Sequence, residues 1–402
     1  MKPVILWAMQ NTMIAIALCT VGAEKVVSNE LKKLALPVLD TGFGRVRFKA
    51  DLRGLYTALM GLRAADRVLL ETTVFPAEDF DALFEGVRAV PWEAFIPPGM
   101  GLRVAKVRIR SSQVQGVTSV QGMVHKAAAD RLCTAYHVNR LPTHGPEAEL
   151  RVYSDNDRVS VLLDLSGEPL FKRGYRSEGG IAPLRETTAA VILLLAQWRR
   201  KFPLWDPFCG SGTIIIEAAM YAWDMAPGLG RRFALSHLLL GDERTERALR
   251  EAFLEKVDFS RIIRIYGSDA DLRAVSLAAS NMERAYDLAR GKEPERGVRQ
   301  PARLPWIPEF RVLPMKAARA PGTEAGFIVT NPPYGKRLGG LEGAEANYRA
   351  MEELPRCFPG WKLALITDHP GFESLFGRKA DSCREITNGA IRSYCYQYEC
   401  LA

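Results

Sequence analysis

From Glu186 onward the chain alternates between short apolar runs and long helical stretches, and this pattern leaves few folds open. Phe202–Trp205, Ile262–Tyr266, Phe310–Leu313, Phe327–Thr330 and Trp361–Thr367 read as buried strands. Between them, Thr188–Trp198, Ile214–Ala222 and Leu272 to about Arg290 read as helices. Strands that are apolar on both faces belong to a sheet covered on both sides. Parallel neighbours need a crossover, usually a helix. The pattern predicts an α/β fold with a parallel, doubly wound sheet, closed by a hairpin over Ala380–Ile386 and Ile391–Cys400. Ligands of such sheets sit beyond the carboxyl ends of the strands.

Two strand ends carry chemistry. The first is Asp206-Pro207-Phe208-Cys209-Gly210-Ser211-Gly212-Thr213, between a strand and a helix. Gly210 and Gly212 let a ligand approach the backbone, and the helix N-terminus is electropositive. A phosphate-gripping loop needs Lys-Ser/Thr after its last glycine, and none is present. A dinucleotide fingerprint needs a third glycine where Ile215 stands. S-adenosyl-L-methionine carries no phosphate; its amino-acid end asks for a carboxylate and tight turns, which Asp206 and the glycines offer. The ribose contact is then expected from Asp269, ending the second strand, with Asp271 as the fallback.

The second strand end is Asn331-Pro332-Pro333-Tyr334-Gly335. Two prolines remove backbone donors and fix the direction of nearby carbonyls. The Asn331 side-chain oxygen and the Pro332 carbonyl form a rack of acceptors, and Tyr334 supplies a ring. That arrangement suits a planar exocyclic amine with two N–H groups to place. Without the first strand end, a proline-rich turn would be the simpler reading.

The first half of the chain reads as α+β. Met13–Leu18 reads as a buried strand rather than a signal segment, because Gln10, Asn11 and Thr12 interrupt the apolar start. Arg103–Arg110 alternates, with apolar residues one way and Arg103, Lys106, Arg108 and Arg110 the other. A helix around Val120–Cys133 adds Lys126 and Arg131, and a hairpin turns at Asn156-Asp157. With a net charge of +8, a path for a phosphate backbone is expected here. Ser166–Arg185 reads as a linker in which Lys172, Arg173 and Arg176 flank aromatic rings, a composition suited to gripping an unpaired strand. Seven scattered cysteines suit reduced thiols in a cytoplasm, and no Cys/His spacing suggests a metal. No apolar run is long enough to span a membrane.

Lys172-Arg173-Gly174-Tyr175-Arg176, Ala182-Pro183-Leu184-Arg185-Glu186, Ala226-Pro227-Gly228 and Asn331 through Leu338 resemble the THUMP-domain guanine-N2 methyltransferases of bacterial large-subunit (23S) ribosomal RNA, the RlmL/YpsC-like group. Ala65-Asp66-Arg67-Val68, Phe80–Phe84 and Ser111-Ser112-Gln113 extend the resemblance to nearly the whole chain. It implies a class I methyltransferase, Rossmann-like with a seven-stranded sheet, over 186–402. It further implies a ferredoxin-like subdomain over 1–90, an interleaved THUMP domain over 91–165 and a linker over 166–185. Asn331, Pro332 and Tyr334 are then the catalytic set, and Asp206, Phe208, Gly210, Gly212, Thr213, Asp269 and Asn331 the cofactor-binding set. RNA is the expected partner, ribosomal before transfer RNA, with no metal and no membrane, in a cytoplasmic monomer. Adenine-N6 methylation, glutamine-N5 methylation of a protein and a non-catalytic RNA-binding or assembly role are the rivals that share this tetrapeptide; the basic first half argues against a protein substrate, and the others stay open. Two features depart from the pattern. Leu313–Ala318, after the third strand, holds no acid to meet the adenine amine, and the excursion over Gly291–Pro308 is long.

Overall fold

The computed structural model describes residues 12–176, 184–292, 308–322, 324–333, 340–388 and 391–401. Tyr334 through Leu338, Ala182-Pro183, most of the 291–308 excursion and the stretch before residue 12 lie outside the described residues.

The first half builds one continuous sheet. Its elements are β1 (Met13–Cys19), α1 (Glu24–Lys33), β2 (Val38–Gly42), β3 (Arg45–Ala50), α2 (Leu52–Gly61) and β4 (Ala65–Pro76). There follow α3 (Phe80–Arg88), β5 (Gly101–Arg110), α4 (Val117–Tyr136), β6 (Glu147–Asp155) and β7 (Arg158–Asp164). Asp51 and Asp79 start α2 and α3 by accepting the N–H groups of Gly54 and Ala82. The strand order is β2-β3-β1-β4-β7-β6-β5. The long strand β4 joins the two expected units: Leu69 and Leu70 pair with β1 on one side and with β7 on the other. Asn156 and Asp157, with φ of 50° and 57°, make the left-handed two-residue turn between β6 and β7.

The basic strand β5 does not alternate strictly. Its register against β6 shifts between Val104 and Lys106, so a bulge at Ala105 resets the phase. This is why Arg103 and Lys106, three residues apart, both reach solvent alongside Arg108 and Arg110.

The second half supplies α5 (Glu186–Leu195), β8 (Leu204–Asp206), α6 (Thr213–Ala222), α7 (Glu243–Leu254), β9 (Ile265–Asp269), α8 (Leu272–Ala289) and β10 (Glu309–Val312). It continues with β11 (Phe327–Thr330), α9 (Gly340–Ala350), α10 (Leu354–Cys357), β12 (Lys362–Thr367), α11 (Phe372–Phe376), β13 (Ser382–Asn388) and β14 (Ile391–Tyr398). The order is β10-β9-β8-β11-β12-β14-β13. The first five strands in that order are parallel, and the closing hairpin adds β14 antiparallel to β12. The direction of strand progression reverses between β8 and β11, which opens a crevice at their carboxyl ends. Ile262 is 83% exposed, so the second strand starts at Ile265 rather than at Ile262.

The two halves share one core. Leu55, Tyr56 and Met60 belong to the same buried cluster as Ala189, Met220 and Trp223. Gly228 makes this contact possible. Its N–H donates to the Met60 carbonyl at 2.9 Å, and a Cβ there would lie 2.6 Å from the Met60 Cα. The opposite side of the second sheet packs separately, around Trp205, Ile328, Tyr348 and Leu365. No helix among the described residues is long and apolar enough to cross a membrane.

Candidate active site

The crevice at the strand switch holds a cavity of about 730 Å³. Asp206, Phe208, Gly210, Thr213, Asp269, Asn331 and Pro332 all line it, so residues from three strand ends meet around one cavity. Gly212 is the exception. It is buried beneath the turn with φ 83°, and a Cβ there would lie 2.9 Å from the Ala278 Cβ. Its place is to let α6 begin against α8, not to face a ligand.

Asp206 is 2% exposed and braces the turn. Its Oδ1 accepts the Phe208 N–H at 3.0 Å and the Thr330 hydroxyl at 2.6 Å. The second bond ties the end of β8 to the end of β11, one residue before Asn331. Burial pushes the Asp206 carboxyl up to about 7; the two hydrogen bonds hold it down only in part, and the Asp269 charge adds to the rise. Cys209 lines the same cavity, but burial drives its thiol far upward, which leaves no thiolate for nucleophilic chemistry.

The two acids after β9 divide their work. Asp269 accepts the Gly210 N–H through Oδ2 and the Asp271 N–H through Oδ1, both at 3.0 Å. It therefore holds the glycine turn in place while lining the cavity. Asp271 is the cap of α8, accepting the Arg273 N–H at 2.8 Å. Across the cavity the Asn331 Oδ1 is buried and has no hydrogen-bond partner among the described residues. An orphaned buried acceptor costs about 1–3 kcal/mol, which a ligand donor would offset.

Several lining residues were not legible in the sequence. Asn347 and Ala350 come from α9, a helix the strand pattern did not reveal. Met315 and Lys316 follow β10 at the position where an acid is missing. Met315 is buried and Lys316 exposed, so this wall is apolar with a cation at its rim. With Ala274 and Leu277 it suits a flat apolar ring.

The RNA-facing set needs correction. Arg173 is 2% exposed: it ion-pairs with Glu217 at 3.2 Å and donates to the carbonyls of Leu170 and Arg63. Tyr175 is fully buried. Arg176 is half-buried and bonded to Thr213 and Glu186. Local composition suggested a solvated grip, but long-range partners drew these groups inside. Of Lys172, Arg173 and Arg176, Lys172 alone is exposed, paired with Glu168. On β5, Arg103 is engaged by Glu147 and Glu149. Lys106 is exposed, the Arg108 guanidinium lies 5.9 Å from the Tyr153 ring centroid, and Arg110 is 81% exposed. On α4, Lys126 sits over the Phe84 ring and Arg131 pairs with Glu93. Among the described residues no cluster of His, Cys, Asp and Glu could hold a metal ion.

A seven-stranded class I sheet with an acid, a glycine turn and an Asn-Pro-Pro end around one cleft defines a class: the S-adenosylmethionine-dependent methyltransferases. Comparison with known proteins agrees. Residues 173–289 and 300–397 match the RMKL-like methyltransferase domain, 15–69 the RlmL ferredoxin-like domain and 77–164 the THUMP domain. The chain belongs to the RMKL-like methyltransferase family. It is 33% identical over 386 residues to the candidate RNA methyltransferase YpsC of Bacillus subtilis, covering 95% of each chain. It is 33% identical over 387 residues to the ribosomal RNA large subunit methyltransferase K/L of Syntrophotalea carbinolica, covering 92% of this chain and 51% of that protein. The chain thus spans about half the length of the large-subunit relatives it matches. Among solved structures, SMU.472, a candidate methyltransferase complexed with S-adenosylhomocysteine, superposes with a TM-score of 0.83 at 33% identity, covering 97% of this chain and 98% of that one.

Proposed function

We propose that this chain methylates the exocyclic N2 amine of a guanine in large-subunit ribosomal RNA. The observation that carries the reading is the buried Oδ1 of Asn331 at the end of β11, without a hydrogen-bond partner among the described residues and held beside the cofactor turn through Thr330 and Asp206. The ribosomal substrate rests on the names of the K/L relatives. The division into N-terminal RNA-binding units and a methyltransferase unit from about Glu186 belongs to the same reading.

The residues fit S-adenosylmethionine. Asp206 and the Gly210 turn would hold its amino-acid end, Asp269 its ribose, and Met315, Leu277 and Ala274 its adenine. When bound, the cofactor supplies an electrophilic methyl on a sulfonium, so the protein needs neither a metal nor a covalent nucleophile. The chain's own task is to place a poor nucleophile. The lone pair of a guanine N2 amine is delocalised into the ring. A flipped-out guanine would stack on Tyr334, and its two amine hydrogens would go to Asn331 Oδ1 and the Pro332 carbonyl. Both bonds strengthen as positive charge develops on nitrogen, which lowers the barrier more than it tightens binding.

The test is single-turnover methylation of unmodified ribosomal RNA. Asn331→Ala leaves β11 and both prolines in place, so folding should be retained. By analogy with oxyanion-hole donors the rate should fall on the order of 10²-fold with RNA affinity unchanged. An equal rate in the variant would rule out the amine rack.

A further inference from the structure

The segment that joins the two sheets also reaches the cofactor turn, at two points. Arg173 anchors it on one side, bonding the Arg63 carbonyl of the first half and Glu217 of α6. Two residues on, the Tyr175 carbonyl accepts Nε of Arg284 at 2.8 Å. The same guanidinium donates to Asn281 Oδ1 at 2.8 Å, and Asn281 Nδ2 donates to the Ser211 carbonyl at 3.0 Å. Arg176 then donates to the Thr213 hydroxyl at 2.8 Å and ion-pairs with Glu186 at 3.3 Å.

Ser211 and Thr213 both line the cavity, whereas Asn281, Arg284 and Arg176 do not. The turn that carries them is glycine-rich, with φ of 51° at Gly210 and 83° at Gly212. Such a backbone has wide freedom unless its neighbours restrict it. Asp206 and Asp269 restrict it from the cavity side, and the bonds from Asn281 and Arg176 restrict it from behind. Asn281 is fully buried and Arg284 is 7% exposed, so neither bond competes with water.

We propose that Arg176 and Asn281 are positioning residues that hold the cofactor turn in its binding geometry, so that the segment following the RNA-binding units sets cofactor affinity. Holding a site rigid from outside raises affinity by removing the ordering cost at binding. The arrangement also makes the junction and the cavity one mechanical unit. Whatever displaces the segment at Tyr175–Arg176 loosens Ser211 and Thr213, and a filled cavity stiffens the junction in return.

Titration calorimetry of the full chain with S-adenosylhomocysteine tests this, and the probe makes no reference to the RNA substrate. A failure here leaves the guanine assignment untouched, and a wrong guanine assignment leaves this result standing. Arg176→Met, which keeps the aliphatic stem, and Asn281→Asp, which keeps the acceptor for Arg284, should each raise Kd about tenfold. Arg176→Lys should stay within about threefold of wild type, because the lysine ammonium can still donate to Thr213. If Arg176 acts through Thr213, the Arg176→Met/Thr213→Val double variant should bind no more weakly than the poorer single variant. An unchanged Kd in folded Arg176→Met would overturn the proposal, as would simple additivity in the cycle. Arg176 lies at the edge of the core, so its cycle decides the matter even if Asn281→Asp does not fold.

Discussion

Asp206 concentrates the tension in the site. It is a carboxyl buried for the sake of the turn, with its pKa raised to about 7. The amino-acid end of the cofactor carries an ammonium group, which favours the ionised carboxylate. S-adenosylhomocysteine should therefore bind less tightly as pH falls below about 7, with Kd approaching a tenfold rise per unit, and Asp206→Asn should bind weakly with no such slope. Stability runs the other way. A carboxyl whose folded pKa lies above its unfolded value contributes stability below the unfolded pKa, near 4, and loses it as pH rises through about 7. Above pH 7 the charged group therefore opposes folding of the empty protein. Asp206→Asn keeps the acceptor for Phe208 and Thr330, and should melt a few degrees higher than wild type at pH 8 in a thermal scan. Lower melting would mean that the ionised carboxylate is better supported than its burial indicates.

At the scale of elements, the end of β9 separates two acids that the sequence could not rank with certainty. Asp269→Ala should lose cofactor affinity by more than tenfold, about what two broken backbone bonds imply, because it frees Gly210 as well as any ribose contact. Asp271→Ala should cost about 1 kcal/mol of stability as a lost cap and leave affinity nearly intact. Calorimetry and denaturant melts of the pair check this, and a reversed order would move the ribose contact to Asp271. Most buried strands were legible because an apolar run between helices has few other meanings. What escaped had physical reasons. The edge strand β2, Val-Leu-Asp-Thr-Gly, is largely exposed and shows no inward face. Half of helix α7 is charged, with only Leu249 and Phe253 buried, although Asp242 caps it and could have marked its start. Arg173 looked like a surface cation because its partners, Glu217 and the Arg63 carbonyl, are remote in sequence. The bulge at Ala105 was hidden because an apolar residue at the wrong phase reads as noise.

For the whole molecule, the shared core changes how RNA binding should be probed. A chain cut near Glu178 would expose Gly228 and the groups around Arg173, so its RNA affinity would mix misfolding with lost contacts. Substituting Lys106, Arg108 and Arg110 to Ala in the full chain is cleaner, because all three are solvent-facing. Each lost phosphate contact should lower the slope of log affinity against log salt by about 0.7 to 0.9, so the triple variant should lose about 2 to 3. An unchanged slope would place the contacts on the methyltransferase half. What the full chain makes is the most direct test of its function. It should be incubated with S-adenosylmethionine and, separately, with unmodified ribosomal and transfer RNA, and the digested nucleosides examined by mass spectrometry. Large-subunit ribosomal RNA should yield N2-methylguanosine. N6-methyladenosine, modification of transfer RNA alone, or no methyl transfer to either RNA would contradict the proposed function.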